Sequence, residues 1–88
     1  MGSLGIDCRI VVIDDNRDAA ELMAMLVQEL GGECRASYDG ESGLREVVAS
    51  RPDVVLLDIG MPGLDGYNTC RHMHRELGND VLIVAVTG

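Results

Sequence analysis

The chain alternates short continuous apolar runs with segments in which apolar residues return every three or four positions. Arg9 to Asp14, RIVVID, is a run of the first kind and predicts a strand covered on both faces. From Ala19 the apolar positions are Ala19, Leu22, Met23, Leu26, Val27 and Leu30, the stripe of an amphipathic helix. Gly31-Gly32 supplies the permissive backbone for its stop. Glu33 to Ser37 predicts a second strand. A second helix starts at Asp39 or Gly40, turns Leu44, Val47 and Val48 inward, and ends before Pro52. Proline pushes the residue ahead of it away from helical geometry. Val54 to Leu57 predicts a third strand. Tyr67 to Leu77 predicts a third helix with Tyr67, Cys70, Met73 and Leu77 inward, and after Gly78 a fourth strand runs from Val81 to Val86.

The order β-α-β-α-β-α-β implies a parallel sheet with helices on both faces. Right-handed crossovers then bring the C-terminal ends of all strands to one edge. Asp39-Gly40 and Asp65-Gly66 each fall between a strand and a helix, so neither marks a hairpin. No linker or low-complexity stretch interrupts residues 9–88, which read as one domain behind an N-terminal tail, residues 1–8. The opening Met1-Gly2-Ser3 has the look of a cloning remnant. A domain of 88 residues buries only about 60–65% of its unfolded surface. With 47% hydrophobic residues and only two aromatics, Tyr38 and Tyr67, the core must be aliphatic.

Charge narrows the partners. A net charge of −8 disfavours nucleic acid and anionic membrane as direct partners and favours a cation or a basic protein surface. Every basic residue is Arg; the sequence contains no Lys. Cys8, Cys34 and Cys70 form no C-x-x-C pair and read as thiols of a reducing, cytoplasmic setting. No apolar run approaches the length of a membrane span. His72 and His74 stand two apart on the third helix and point in different directions, which does not suit a zinc pair.

The chemistry gathers at the strand ends. Asp14 and Asp15 close the first strand, Asp58 the third and Thr87 the fourth. Open α/β sheets bind ligands along that edge. If the first and third strands are neighbours, three carboxylates and a hydroxyl share one crevice. Two carboxylates about 4 Å apart repel by roughly 4 kcal/mol at an effective dielectric near 20. A divalent cation offsets this, and an all-oxygen, partly hydrated site suits Mg²⁺. An aspartate ahead of a helix is also an ordinary N-cap, a reading open to Asp14 and Asp15 taken alone. Asn16 and Arg17 are read as simple helix starters. Asp58 is followed by Gly60, Met61, Pro62 and Gly63 rather than by a helix, which weakens the N-cap reading there.

VVIDDN, DVVLLDIGMPGLDG and VLIVAVTG together resemble the receiver domain of bacterial two-component response regulators, over Arg9 to Gly88. The spacing of Asp58, Met61, Pro62 and Gly66 is the most specific part. The resemblance implies a flavodoxin-like doubly wound parallel sheet, here incomplete, with strand order 2-1-3-4. It implies that Asp58 is the phosphoacceptor for a histidine kinase or phosphotransfer protein. Asp14, Asp15, Asp58 and the Gly60 carbonyl would form the Mg²⁺ site, Asp14 through metal-bound water, and Thr87 would contact a phosphoryl oxygen. NRDAAELMAML also resembles the first helix of receivers fused to hybrid sensor kinases.

A complete receiver is similar but longer, with a further helix, a fifth strand ending in a Lys that pairs with the phosphoryl group, and a final helix. The expectation is therefore a truncated receiver, a signalling module rather than an enzyme, impaired in phosphorylation and output. The fourth strand would be an exposed apolar edge, implying a homo-oligomer. Two other functions compete. A Mg²⁺-dependent phosphohydrolase with an Asp nucleophile usually places a second Asp two residues on, where this chain has Gly60. A phosphorylation-independent interaction module would not need the full acidic set.

Overall fold

The computed structural model describes residues 8–86. Its elements are β1 (Arg9–Ile13), α1 (Arg17–Glu29), β2 (Glu33–Ser37), α2 (Gly40–Ser50), β3 (Val54–Asp58), α3 (Gly66–Leu77) and β4 (Leu82–Val86). The four strands are parallel in the order β2-β1-β3-β4, the α/β arrangement anticipated. Ile13 pairs with Ser37 and with Leu57, and Asp58 pairs with Val86, so the strand ends are level along one edge.

Side chains alternate across the sheet. Val11, Ile13, Val55 and Leu57 face α2 and α3, where they pack with Val47, Met61, Met73, Leu77 and Val81 in the larger core. Val12 and Cys34 face α1 and pack with Ala20 and Val27. Buried aliphatic area of this kind is worth about 25 cal/mol per Å². Each helix begins on a side-chain cap: Asn16 accepts from the Ala19 N–H, Asp39 from Ser42 and Asp65 from Asn68. Such caps satisfy donors that the helix itself leaves unpaired. The start of α1 at Asn16 and Arg17 bears out the helix-starter reading. At the other end of α2, Arg51 takes a left-handed conformation (φ 49°) and its N–H donates to the Val47 carbonyl at 2.9 Å, directly ahead of Pro52.

One glycine sets the α2–sheet distance. A Cβ on Gly43 would lie 2.6 Å from Ile13 Cδ1 and within 2.9 Å of two further Ile13 atoms. A bare backbone at Gly43 lets α2 press onto the end of β1 beneath Asp14.

The packing corrects the apolar faces of all three helices. In α1 the contact with the sheet is made by Ala20, Ala24 and Val27, while Leu22 and Leu26 are more than half exposed, and Ala19, Met23 and Leu30 are exposed as well. The helix sits over β1 and β2, and one flank is tied there: Tyr38 Oη donates to Glu21 at 3.3 Å and Gln28 donates to the Cys34 carbonyl at 3.5 Å. Apolar spacing of three and four shows which residues share a face but not which part of a broad stripe meets the sheet. In α2, Val48 stands on the outer shoulder of the stripe and is exposed. In α3, Tyr67 is 72% exposed. It lies in the first turn, beyond the sheet contact made by Met73 and Leu77, and the Arg71 guanidinium stands 5.7 Å from its ring centroid.

Candidate functional site

The adjacency of β1 and β3, conditional in the sequence, is realised, and it joins the acidic residues. Asp14 and Asp15 follow β1 directly and Asp58 is the last residue of β3. One carboxylate oxygen from each of the three lies within 4.8 Å of the others. Asp14 and Asp58 are half-buried and Asp15 is exposed, so the cluster opens to solvent.

Local hydrogen bonds aim two of these carboxylates. Asp14 Oδ1 accepts from the Asn16 N–H at 3.0 Å, and its own N–H donates to the Ser37 carbonyl. Asp58 Oδ1 accepts from the Gly60 N–H at 2.8 Å. Gly60 is suited to that turn because an added Cβ would stand 3.2 Å from the same oxygen. The Ile59 N–H donates to the Val86 carbonyl at 2.9 Å, tying the turn after Asp58 to the end of β4. Thr87, the anticipated phosphoryl contact, lies outside the described residues. So does the tail, Cys8 excepted.

The donor set is chemically suited to a hard cation. Adjacent oxygens of an octahedral Mg²⁺ shell are separated by roughly 3 Å, given metal–oxygen distances of about 2.1 Å. Carboxylates converging within 4.8 Å need only rotamer adjustment or a bridging water to share one ion. Among the described residues no nitrogen or sulfur donor joins the group, a donor set that suits a hard cation better than zinc.

Sequence reasoning did not single out the surroundings of this cluster. Tyr38, Asp39, Leu64 and Asp65 line a cavity that reaches Asp15. The caps were legible in principle, because Asp39-x-x-Ser42 and Asp65-x-x-Asn68 each place an acceptor three residues before a helical N–H. Tyr38 and Leu64 had no local signal; only the approach of α2 and the β3–α3 loop brings them together. Arg17 also reaches this rim, its guanidinium 4.0 Å from the Tyr38 ring centroid. Contacts of this kind contribute about 0.5–1 kcal/mol when exposed.

Comparison with known proteins agrees with this geometry. The family model for the response regulator receiver domain matches residues 10–88. The response regulator MprA of Mycolicibacterium vanbaalenii is 37% identical over 79 residues, which are 90% of this chain and 34% of that protein. The chain thus spans about a third of the length of the curated relatives it matches. The response regulator TrrA of Thermotoga maritima, solved in complex with Mg²⁺ and BeF, superposes with a TM-score of 0.79 at 32% identity, over 93% of this chain and 70% of that one. A solved complex of the histidine kinase ThkA with TrrA matches with a TM-score of 0.79 at 31% identity, over 94% of this chain and 70% of that one. With a parallel sheet in this order, an acidic cluster at its C-terminal edge and a family match across β1 to β4, the chain belongs to the response regulator receiver domain family.

Proposed function

We propose that the chain accepts a phosphoryl group on Asp58 from a phosphohistidine of a histidine kinase or phosphotransfer protein, with Mg²⁺ held by Asp14, Asp15, Asp58 and the Gly60 carbonyl. The convergence of three carboxylates within 4.8 Å at the strand ends carries this reading. Asp58 is the candidate nucleophile because it ends β3 with Oδ1 held by the Gly60 N–H at 2.8 Å. In the transfer an Asp58 oxygen forms a bond to phosphorus, the phosphorus–nitrogen bond of the donor breaks, and the imidazole leaves. Mg²⁺ supplies charge neutralisation for the carboxylates and the transferred oxygens. Thr87, following Val86 beside Asp58, is proposed to contact a phosphoryl oxygen.

The partner reading draws on TrrA, a relative solved with a histidine kinase. Leu22 and Met25, more than half exposed on α1, offer an apolar surface for such a partner. The phosphohydrolase alternative is disfavoured by Gly60, which offers no acid two residues after Asp58.

The 88-residue polypeptide by itself is proposed to be a poor phosphoacceptor, since it contains no Lys to pair with the phosphoryl group. It is also proposed to self-associate through β4. That strand lies at the sheet edge with Leu82 61% exposed and Val84 and Val86 open beside it. Acetyl phosphate with Mg²⁺, followed by intact mass measurement, tests the first statement. Slow, partial labelling that disappears in Asp58→Asn is expected; rapid and stable labelling overturns the proposed impairment, and labelling that persists in Asp58→Asn overturns the assignment of the nucleophile. Sedimentation showing only folded monomer at high concentration rules out self-association.

A further inference from the structure

Beside the acidic cluster lies a cavity of about 370 Å³ between the start of α2 and the loop from β3 to α3. Its lining is mostly apolar, with Leu44, Met61 and Leu64 among the contributing residues. Close packing shapes it: a Cβ on Gly40 would stand 2.8 Å from Leu64 Cδ1, so glycine lets the N-terminus of α2 approach that side chain. Asp15, Asp39, Glu41 and Asp65 also line it; among the described residues no basic one does, although the Arg17 guanidinium stands at the rim, 4.0 Å from the Tyr38 ring centroid.

These carboxylates are unequally engaged. Both oxygens of Asp65 are taken by Asn68, at 3.1 Å from its N–H and 2.7 Å from its side-chain amide. Asp39 uses Oδ1 to accept from the Ser42 N–H at 2.8 Å. Glu41 is held by Arg45 at 3.2 Å on the solvent side. Asp15 belongs equally to the cavity and to the metal cluster, so an occupant of one borders the other.

An apolar slot with an anionic border fits a side chain that is itself apolar along its stem and cationic at its tip. Lys and Arg have that construction. A bare metal ion gains nothing from Leu44, Met61 and Leu64, and a phosphate or nucleotide is repelled by the border. We propose that this cavity seats an Arg or Lys side chain of the phosphodonor protein when it docks over Asp58. The identity of the partner rests on the phosphoacceptor reading above. Its stem would lie on the Leu44, Met61 and Leu64 surface and its head against Asp15, Asp39 and Glu41. Arg45 competes for Glu41 and therefore weakens the seat.

An NMR titration of the ¹⁵N-labelled 88-residue chain tests this. The probes are Nα-acetyl-arginine amide and Nα-acetyl-lysine amide, with Nα-acetyl-norleucine amide as the apolar control. The basic probes are expected to shift the amides of Gly40, Leu44, Gly63 and Leu64 more strongly than norleucine does. Glu41→Gln should raise Kd by about two- to five-fold, the scale of one partly exposed charge pair. Arg45→Gln should lower it by a similar factor, a sign that a general loss of structure would not produce. Both substitutions are on the exposed face of α2, so folding is preserved. Equal binding of norleucine, an unchanged Kd in both variants, or silent cavity amides would each overturn the proposal. A Mg²⁺ titration of the same sample separates the two ideas. Amides near Asp14 and Asp58 that respond to Mg²⁺ beside a silent cavity sink this inference alone; no Mg²⁺ response sinks the phosphoacceptor reading and the assigned partner with it.

Discussion

Neutralising Asp58 should make the metal-free protein more stable, not less. The three carboxylates Asp14, Asp15 and Asp58 lie within 4.8 Å of one another. At that separation each pair repels by about 0.9 kcal/mol in bulk water and about 3.5 kcal/mol at an effective dielectric of 20. Asp15 is exposed and the other two are half-buried, so the aqueous limit is the nearer guide. Asp58→Asn removes two of the three repulsions while keeping an oxygen to accept the Gly60 N–H at 2.8 Å. After screening by salt and relaxation of exposed side chains, about 1 kcal/mol of net relief remains. For a domain of this size that is a rise of about 4–8 °C in Tm. Magnesium should then invert the comparison. At ten times its Kd, an ion that binds only the folded state adds about 1.4 kcal/mol to the wild type. The variant, lacking one ligand, should gain much less. Urea unfolding followed by circular dichroism at low ionic strength, in EDTA and in excess Mg²⁺, measures both effects. An Asp58→Asn protein no more stable than wild type in EDTA, or stabilised equally by Mg²⁺, would refute the idea that these carboxylates form one electrostatic unit.

Other consequences are open to measurement. Gly43→Ala gains about 1 kcal/mol of helix propensity but drives a methyl to 2.6 Å from Ile13 Cδ1, against a stiff, fully buried side chain. Overpacking costs of about 1–3 kcal/mol should win. Urea midpoints should fall, with Ile13→Ala partly non-additive in the double mutant; a more stable Gly43→Ala would show that α2 shifts freely. The Ser42 N–H bonded to Asp39 holds that carboxyl below its ordinary value. A depressed folded value means the stabilisation is complete above the unfolded carboxylate range and disappears as pH falls through the folded one. Asp39→Asn, which keeps a capping oxygen, should therefore show a shallower loss of stability with acid than wild type. An unchanged slope would remove Asp39 from the acid response. Burial pushes the Cys34 thiol up, so its alkylation in the native state should lag well behind that of the half-buried Cys8. Peptide mapping after brief iodoacetamide treatment reads the order directly, and equal rates would contradict the burial of Cys34.

Much of the site was legible because parallel β/α alternation turns a one-dimensional fact into a spatial one. A carboxylate ending β1 and another ending β3 must reach the same edge once right-handed crossovers stack the strands, so the sequence alone groups Asp14, Asp15 and Asp58. The strand at Glu33–Ser37, with its polar Glu33 and Arg35, was visible from its position between two helices, and its bounds agree with the structure.

What only tertiary structure decided is how broad apolar surfaces are divided. The α1 stripe contains more apolar residues than one sheet contact can bury, and the sequence contains no record of whether Val27 or Leu26 meets β1. In the structure Ala20, Ala24 and Val27 meet the sheet, the hydrogen bonds of Tyr38 and Gln28 tie α1 to the β2 side, and Leu26 is left more than half exposed. Gly43 and Gly40 likewise carry no sequence signal of the close approach that Ile13 and Leu64 make to their bare backbones. Periodicity determined the order of elements and the edge where the carboxylates gather, since both depend on backbone repeats and chain handedness. Close packing between residues far apart in sequence determined which side chains are buried and where the cavity beside Asp15 opens, because such contacts depend on side-chain volume at a meeting point that no local pattern specifies.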